Sequence, residues 1–269
     1  MAEGLGGAAN IHVDFPAAIT VLHELVNGLV DKAGLKSEDH ARVAIGFGLA
    51  GFAIESDAAR VAESFPGFAL ARAANDATAA CLGAHAGADG GLVIAGTGSA
   101  AIARVAGRET IIGGRGFMLG DDGSGSRIGL EALRAAVRSS DALGPSTPLT
   151  AEMLAGFGGD VHAMLLWAQT AKPGDYGAYA PSVFKHAGAG DPVARGIVAS
   201  AARGVDALVR GSAALGATRV ALVGGVGDAI RPWLDPEASR LLTRPLYDPT
   251  DGAILLAGGV LPPLREAAS

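Results

Sequence analysis

Apolar residues recur at helical spacing over 16–33, where Ile19, Leu22, Leu25, Val26 and Leu29 fall on one face. Asp14 stands where a helix cap belongs, Pro16 sits near the first turn, and Gly34 supplies a stop. The next apolar run, RVAIGFGLA (42–50), is short and unbroken, the pattern of a strand running into glycine. A second helix is predicted over 55–64 and a second strand over 68–73. An alanine-rich helix then opens at Asn75-Asp76 and runs to about residue 84.

From Gly91 the pattern changes. GLVIAGTG, SAAIARVAG and RETIIGG read as three short strands joined by tight glycine turns, an antiparallel meander. The glycine-rich stretch GGRGFMLGDDGSGSRIGLEAL (113–133) follows and feeds a helix over about 125–139. A helical region over 150–170, a loop around GDYGAYAP, and a long helix from Asp191-Pro192 to about residue 215 come next. RVALVGG is another buried-type strand, and DGAILLAGG a last helix. Strands alternating with helices predict an α/β protein with mostly parallel sheets. The second half opens on a meander and the first does not. If the fold is duplicated, three strands with short turns, on the order of 25 residues, are expected ahead of Met1.

Composition narrows the class. With 269 residues, 49% hydrophobic and 18% charged, the chain reads as an ordinary globular protein with a self-sufficient core. A net charge of −6 and four scattered lysines argue against nucleic acid or an anionic membrane as partner. The single cysteine, Cys81, rules out an internal disulfide and disfavours a cysteine zinc site. The six histidines show no metal spacing and no metal-ligating residue is assigned. No secretion signal or membrane-spanning run is visible, so the cytoplasm is the expected location.

Four motifs bear on chemistry. GFGLAG (46–51) fits the dinucleotide fingerprint, but no acid ends the next strand and the following residues do not open cleanly as a helix. IAGTGSAAI (94–102) puts backbone N–H groups and two hydroxyls at one turn between strands, either an anion nest or a plain hairpin. VALVGGVGDAI (220–230) runs a strand into glycines, where a flat ligand can approach the backbone or the chain simply turns. Asp76 is a helix cap or a base for phosphoryl transfer. The order of strand, NDA helix, nest, acid loop and strand-GG favours the phosphoryl-transfer reading as a set. A P-loop and a G-x-S-x-G nucleophile elbow are both absent.

That ordered set resembles the acetate-and-sugar-kinase, heat-shock-chaperone and actin superfamily. Within it the chain is most similar to the N-acetylglucosamine kinase group of the BadF/BadG/BcrA/BcrD ATPase family, bacterial glucosamine kinases above all. GGAANI, NDATAACLGAH, IAGTGSAAI, the 113–133 stretch, PGDYGAYAPSVFKHAGAGDP and DGAILLAG carry the likeness over nearly the whole chain. It implies two ribonuclease H-like lobes of the actin-like ATPase fold, over 1–90 and 91–269. It also implies ATP with Mg²⁺, an amino-sugar substrate and glucosamine 6-phosphate as product, with N-acetylglucosamine as the alternative substrate. Asp76 would be the base on the sugar 6-hydroxyl, with Asn75 beside it and Asn10 bonding the sugar. Gly114, Arg115 and Gly116 would line the sugar pocket and Asp121 would accept from ring hydroxyls. Gly96, Thr97, Gly98 and Ser99 would surround the ATP phosphates, and Gly224 and Gly225 would border the adenosine. The group often forms dimers, so a homodimer is the assembly to look for.

Two departures stand out. The family opens on a strand-turn-strand with an Asp-Gly-Gly-Gly-Thr type phosphate loop, and the chain starts at the segment after it. The first lobe is therefore expected to lack its opening β-hairpin, which keeps a non-catalytic sugar- or nucleotide-binding role in view. Ala100 stands where relatives acting on N-acetylglucosamine carry asparagine, which tilts the reading toward the free amine, with Asp121 or Asp122 offsetting its charge.

Overall fold

A computed structural model describes residues 2–263 apart from Ala8, Ala53 and Glu55. Ala8 of GGAANI and Glu55, the predicted start of the second helix, thus lie outside the described residues. The chain begins with α1 (Phe15–Lys32), β1 (Ala44–Leu49), α2 (Asp57–Glu63), β2 (Leu70–Asn75) and α3 (Asp76–Ala84). The meander follows as β3 (Gly90–Ala95), β4 (Ser99–Val105) and β5 (Arg108–Gly113). A helical stretch comes next: α4 (Gly116–Leu119), α5 (Gly125–Ser140), α6 (Pro148–Ala155), α7 (Val161–Ala168), α8 (Pro173–Gly177), α9 (Ala180–Gly188) and α10 (Pro192–Ala214). The chain ends with β6 (Val220–Val223), α11 (Gly227–Ile230), α12 (Pro236–Arg240), β7 (Leu242–Thr243) and α13 (Pro249–Leu256).

Contacts divide the chain into two units, one of the residues up to Asp89 with those from Pro245 on, the other Gly90–Arg244. The first boundary falls where the meander begins. The tail was expected to finish the second lobe, and it packs in the first unit instead. Small residues explain why: Gly252 lies against the Ala79 carbonyl of α3, and Gly83 against the Asp248 carbonyl, with no room for a Cβ at either glycine. Helices this close exclude any larger side chain at the seam.

In the first unit β1 and β2 pair in parallel, from Ala44 opposite Leu70 to Leu49 opposite Asn75. Gly46 of β1 closes on the Ala253 carbonyl and Gly48 on the Ala79 side chain. Phe47 and Leu49 enter a core with Leu22, Val26, Val61 and Phe65. Gly46 and Gly48 of GFGLAG are therefore accounted for by helix packing on the strand, and Gly51 by the turn it forms against Asn10 and His12, with no nucleotide needed. Helix α1 is capped by Asp14, which accepts from the Ala17 N–H, and it buries Ala18, Leu22, Val26 and Val30. That stripe is turned slightly from the predicted face, and the half-buried Leu25 and Leu29 lie against the chain at Gly4 and Gly6 instead. His23 stacks on Phe65 with ring centroids 4.2 Å apart, and His40 on Phe68 at 4.5 Å, so both act as packing groups.

The second unit is a five-stranded mixed sheet in the order β5-β4-β3-β6-β7. β3, β4 and β5 are antiparallel neighbours, and β6 and β7 add in parallel beside β3. The sheet is thus half antiparallel, where the alternation of strands and helices predicted mostly parallel pairing, because the meander strands pair with one another across tight turns. Its core joins Val93, Ile128, Val205 and Leu222 from the sheet and from α5 and α10. The predicted helical region over 150–170 consists of α6 and α7, separated where Gly158 and Gly159 adopt φ of +66° and +78°. GDYGAYAP is largely helical rather than a loop: Pro173 starts α8, and the Asp175 carboxylate accepts from the Lys172 N–H at 2.7 Å.

Candidate functional site

Within the first unit, the C-terminal ends of β1 and β2 lie side by side, and Asn10, Asn75 and Asp76 of the predicted sugar and base residues collect there. Asn75 ends β2 and caps α3, its Oδ1 accepting from the Ala77 N–H at 2.9 Å. Asp76 is the first helical residue and is exposed. Its Oδ1 also accepts from Ala77 N–H, at 2.8 Å, while Oδ2 has no bond among the described residues. Asn75 thus takes the capping task, and Asp76 keeps a free carboxylate oxygen at a strand end, where parallel sheets present ligand groups. Asn10 sits beside the end of β1: its Oδ1 faces Gly51 and accepts from the His12 and Val13 N–H groups at 3.0 and 3.3 Å. The turn uses that oxygen, which leaves the amide Nδ2 for a ligand.

In the second unit the Gly96–Ser99 turn joins β3 to β4, and the start of α5 holds it. The Gly96 carbonyl accepts from Gly125 N–H at 2.7 Å, and the Thr97 carbonyl from the Ser126 hydroxyl at 2.7 Å. Gly224 and Gly225 leave the neighbouring strand β6, and Val226 N–H returns to the Ala95 carbonyl at 2.9 Å. Gly224 takes φ +100° with no space for a Cβ against Ala95, while Gly225 faces open space. A cavity of about 550 Å³ lies between these two glycine turns, lined also by Ala180, Pro181, Phe184 and Val226. Apolar walls with backbone N–H groups at one end suit a flat base carrying an anionic tail.

The sugar-loop residues lie beside the same turn. Gly114 N–H donates to the Ser99 carbonyl at 3.1 Å, and Arg115 and Gly116 are exposed. Asp121 folds back on the nest: its Oδ1 accepts from Ser99 N–H at 3.2 Å, and a Cβ on Gly98 would meet its carboxylate. Its backbone is left-handed at φ +60°, a strained setting for a non-glycine residue. The Ser99 hydroxyl donates to the Asp122 carbonyl at 2.8 Å. Asp122 itself is exposed and lines a separate cavity of about 600 Å³ with Arg127 and Arg203. The adjacent acids therefore point to different places.

Sequence reasoning missed the cavity wall on α9 and the two serines of SGS. Ser124 caps α5 by accepting from Arg127 N–H, and Ser126 pins Thr97; both are fully buried. Serines flanking a glycine at a helix start were the available signal. Among the described residues, no group of three or more His, Cys, Asp or Glu side chains is placed to hold a metal ion. No helix of the described residues is long and apolar enough to cross a membrane.

A mixed sheet with paired glycine turns and a cavity at its strand ends is the build of an actin-like ATPase lobe, the fold this chain shares with the sugar kinases. The chain belongs to the BadF/BadG/BcrA/BcrD ATPase family, which it matches over residues 1–257. It is 33% identical to the glucosamine kinase GspK of Vibrio cholerae over 258 residues, 95% of this chain and 87% of that one. A crystal structure from Chromobacterium violaceum, provisionally named an N-acetylglucosamine kinase, matches with a TM-score of 0.81 and 32% identity, covering 94% of this chain and 88% of its own. The ROK hexokinase from Thermus thermophilus shares the fold alone, with a TM-score of 0.52 and 19% identity over 90% of this chain and 85% of its own. An ATPase family implies ATP as the nucleotide used.

Proposed function

We propose that the chain is an ATP-dependent amino-sugar kinase that phosphorylates glucosamine on its 6-hydroxyl. The observation that carries this is the 33% identity to a glucosamine kinase across 95% of the chain. In this reading Asp76 takes the proton of the 6-hydroxyl as that oxygen bonds the γ-phosphorus; the bond to the β-phosphate oxygen breaks and ADP leaves. The exposed Oδ2 at the end of β2 is suited to that proton. Asn10 and Asn75 hold sugar hydroxyls beside it.

Gly114, Arg115 and Gly116 line the sugar. Asp121 has committed Oδ1 to Ser99, so Oδ2 accepts from a ring hydroxyl or the ammonium; Asp122, turned to another cavity, is the weaker choice. Of Gly96, Thr97, Gly98 and Ser99, the first three take the phosphates while Ser99, its N–H and hydroxyl given to Asp121 and Asp122, shapes the turn; Gly224 and Gly225 take the adenosine, with Phe184 and Val226 as apolar walls. Mg²⁺ accompanies ATP in this reading and would be held chiefly by the ATP phosphates and water. Bound there, it supplies neutralisation of phosphate charge. The reading carries a cytoplasmic location, where ATP is at hand, and a homodimer. N-acetylglucosamine as acceptor is the second reading, favoured by the Chromobacterium structure.

An ADP-release assay with each amino sugar tests the proposal. Asp76→Asn is expected to lower kcat by on the order of 10²–10⁴-fold while sugar affinity stays within a few fold. A near-normal rate in that variant would reduce Asp76 to a helix-start residue. Absence of turnover with either sugar, together with retained sugar binding, would remove the kinase assignment.

A further inference from the structure

The helix that walls the nucleotide cavity is held from behind by one carboxylate. Helix α9 presents three stripes. Val183 and Ala187 are buried in the core. Ala180 and Phe184 line the cavity, together with Pro181. Ser182 and His186, one turn apart, meet Glu152 of α6. The Ser182 hydroxyl donates to Glu152 Oε1, and His186 Nε2 lies 2.7 Å from Oε2. Lys185 Nζ is 3.7 Å from the same oxygen and is the other charged group at this contact. Both carboxylate oxygens are therefore spent on α9.

Successive helix residues are turned by about 100°, so the 182/186 stripe and the 180/184 stripe lie nearly opposite each other, with the core seam between. Rolling about that seam would carry Phe184 into or out of the cavity. A carboxylate gripping the far stripe opposes that roll. We propose that Glu152 is a positioning residue for the nucleotide cavity, holding α9 through Ser182 and His186 so that Phe184 and Ala180 stand in the wall. The proposal rests on the reading of that cavity as the nucleotide site. The hydrogen bonds from Ser182 and His186 hold the Glu152 carboxyl below its ordinary value against the opposing effect of burial, with Lys185 assisting. The grip therefore stays ionised through neutral and mildly acidic pH.

The test titrates wild type, Glu152→Ala and Glu152→Gln with a fluorescent ADP analogue, then measures kcat and the KM for sugar at saturating ATP. Glu152→Ala is expected to raise the nucleotide Kd roughly three- to tenfold, the loss for one or two half-exposed charge-assisted hydrogen bonds. Sugar KM and kcat should stay within about twofold. Glu152→Gln keeps an acceptor for the Ser182 hydroxyl and should recover at least half of the loss. Ser182→Ala with His186→Ala should match Glu152→Ala, with no further loss when the three are combined. This pair also supplies the reading if Glu152→Ala does not fold. Unchanged ADP binding in a folded Glu152→Ala, or a parallel rise in sugar KM, would overturn the inference. Absence of ADP binding by wild type would instead overturn the nucleotide reading of the cavity, and this inference with it.

Discussion

Gly204→Ala should damage the site from a distance. Gly204 lies in the middle of α10, where the acid loop presses on it: a Cβ there would stand 2.6 Å from the Asp122 carbonyl carbon, 2.8 Å from its oxygen and 2.8 Å from Gly123 N. These are backbone atoms, so no side chain can swing away. The closest approach falls short of an ordinary 3.4 Å contact by roughly 0.8 Å, and the loop must retreat by a comparable distance. The Asp122 carbonyl holds the Ser99 hydroxyl at 2.8 Å and Asp121 holds Ser99 N–H at 3.2 Å, so the GTGS turn and Asp121 move with it. Overpacking of this kind costs about 1–3 kcal/mol, offset by the 0.5–1 kcal/mol that alanine gains over glycine in a helix. A displacement near 1 Å in a catalytic constellation costs on the order of 10²-fold in rate. The expected variant is folded, melts within a few degrees of wild type, and loses roughly 30- to 100-fold in kcat/KM by ADP release. Gly196→Ala, on the same helix with nothing within 4 Å of its added methyl, should keep full activity. Wild-type activity in Gly204→Ala, or equal losses in both variants, would refute the reasoning.

Two further predictions concern buried acids of the second unit. Asp191 caps α10 through Val193 and Ala194 N–H and also accepts from Leu149 N–H of α6, all within 2.9–3.0 Å. Asp191→Ala should cost about 2–4 kcal/mol in denaturant unfolding, a lost cap plus a stranded donor; a loss under 1 kcal/mol would contradict it. Burial alone would raise the Asp191 carboxyl, but the N–H groups of Ala194, Leu149 and Val193 and the Thr147 hydroxyl together hold it below 3.8. Its contribution is therefore present at neutral pH and is lost only as pH falls through that lowered value. Asp206 has the opposite sign: burial raises its carboxyl above 3.8, against the Asp235 N–H and Arg210. Its ionisation costs stability as pH rises through the raised value, so Asp206→Asn should raise Tm at pH 7 and give no gain below pH 3.8. An equal gain at both pH values, or a loss at pH 7, would show that charge burial is not the cause.

Much of the fold was legible because its signals are local. Asn75-Asp76 opening α3, Asp191-Pro192 opening α10, and the glycine turns of the meander each follow from capping or turn chemistry within a few residues. The position of the tail was not legible, since it rests on Gly83 meeting Asp248 and Gly252 meeting Ala79, contacts between residues far apart in sequence. The cavity wall was missed for a related reason. Pro, Gly and Tyr in GDYGAYAP read as a loop, yet the segment folds as α8 and the start of α9, and only tertiary packing sets Phe184 into the cavity. The different settings of the acid pair were not legible either: Asp121 turns back on Ser99 from a left-handed backbone while Asp122 lines another cavity, and sequence alone does not fix that backbone angle.

The glycines show where motif reading works and where it fails. GFGLAG and IAGTGS look alike on paper, each a strand running into alternating glycines. In three dimensions Gly46 and Gly48 are closed by Ala253 and Ala79, while Gly96 of IAGTGS has nothing within 4 Å of the Cβ it lacks, like Gly225 of the neighbouring VALVGG turn, and Gly98 faces only the Asp121 carboxylate. A glycine crowded by the chain's own backbone is explained once the packing is explained. A glycine at a strand end with open space before it has no packing reason to be small, and close approach by a ligand supplies one. By that physical distinction the first motif belongs to the helix seam of one unit, and the second belongs to the cavity of the other. The same distinction gives Gly204 its weight, because there the crowding neighbour is the loop that carries Asp121 and Asp122.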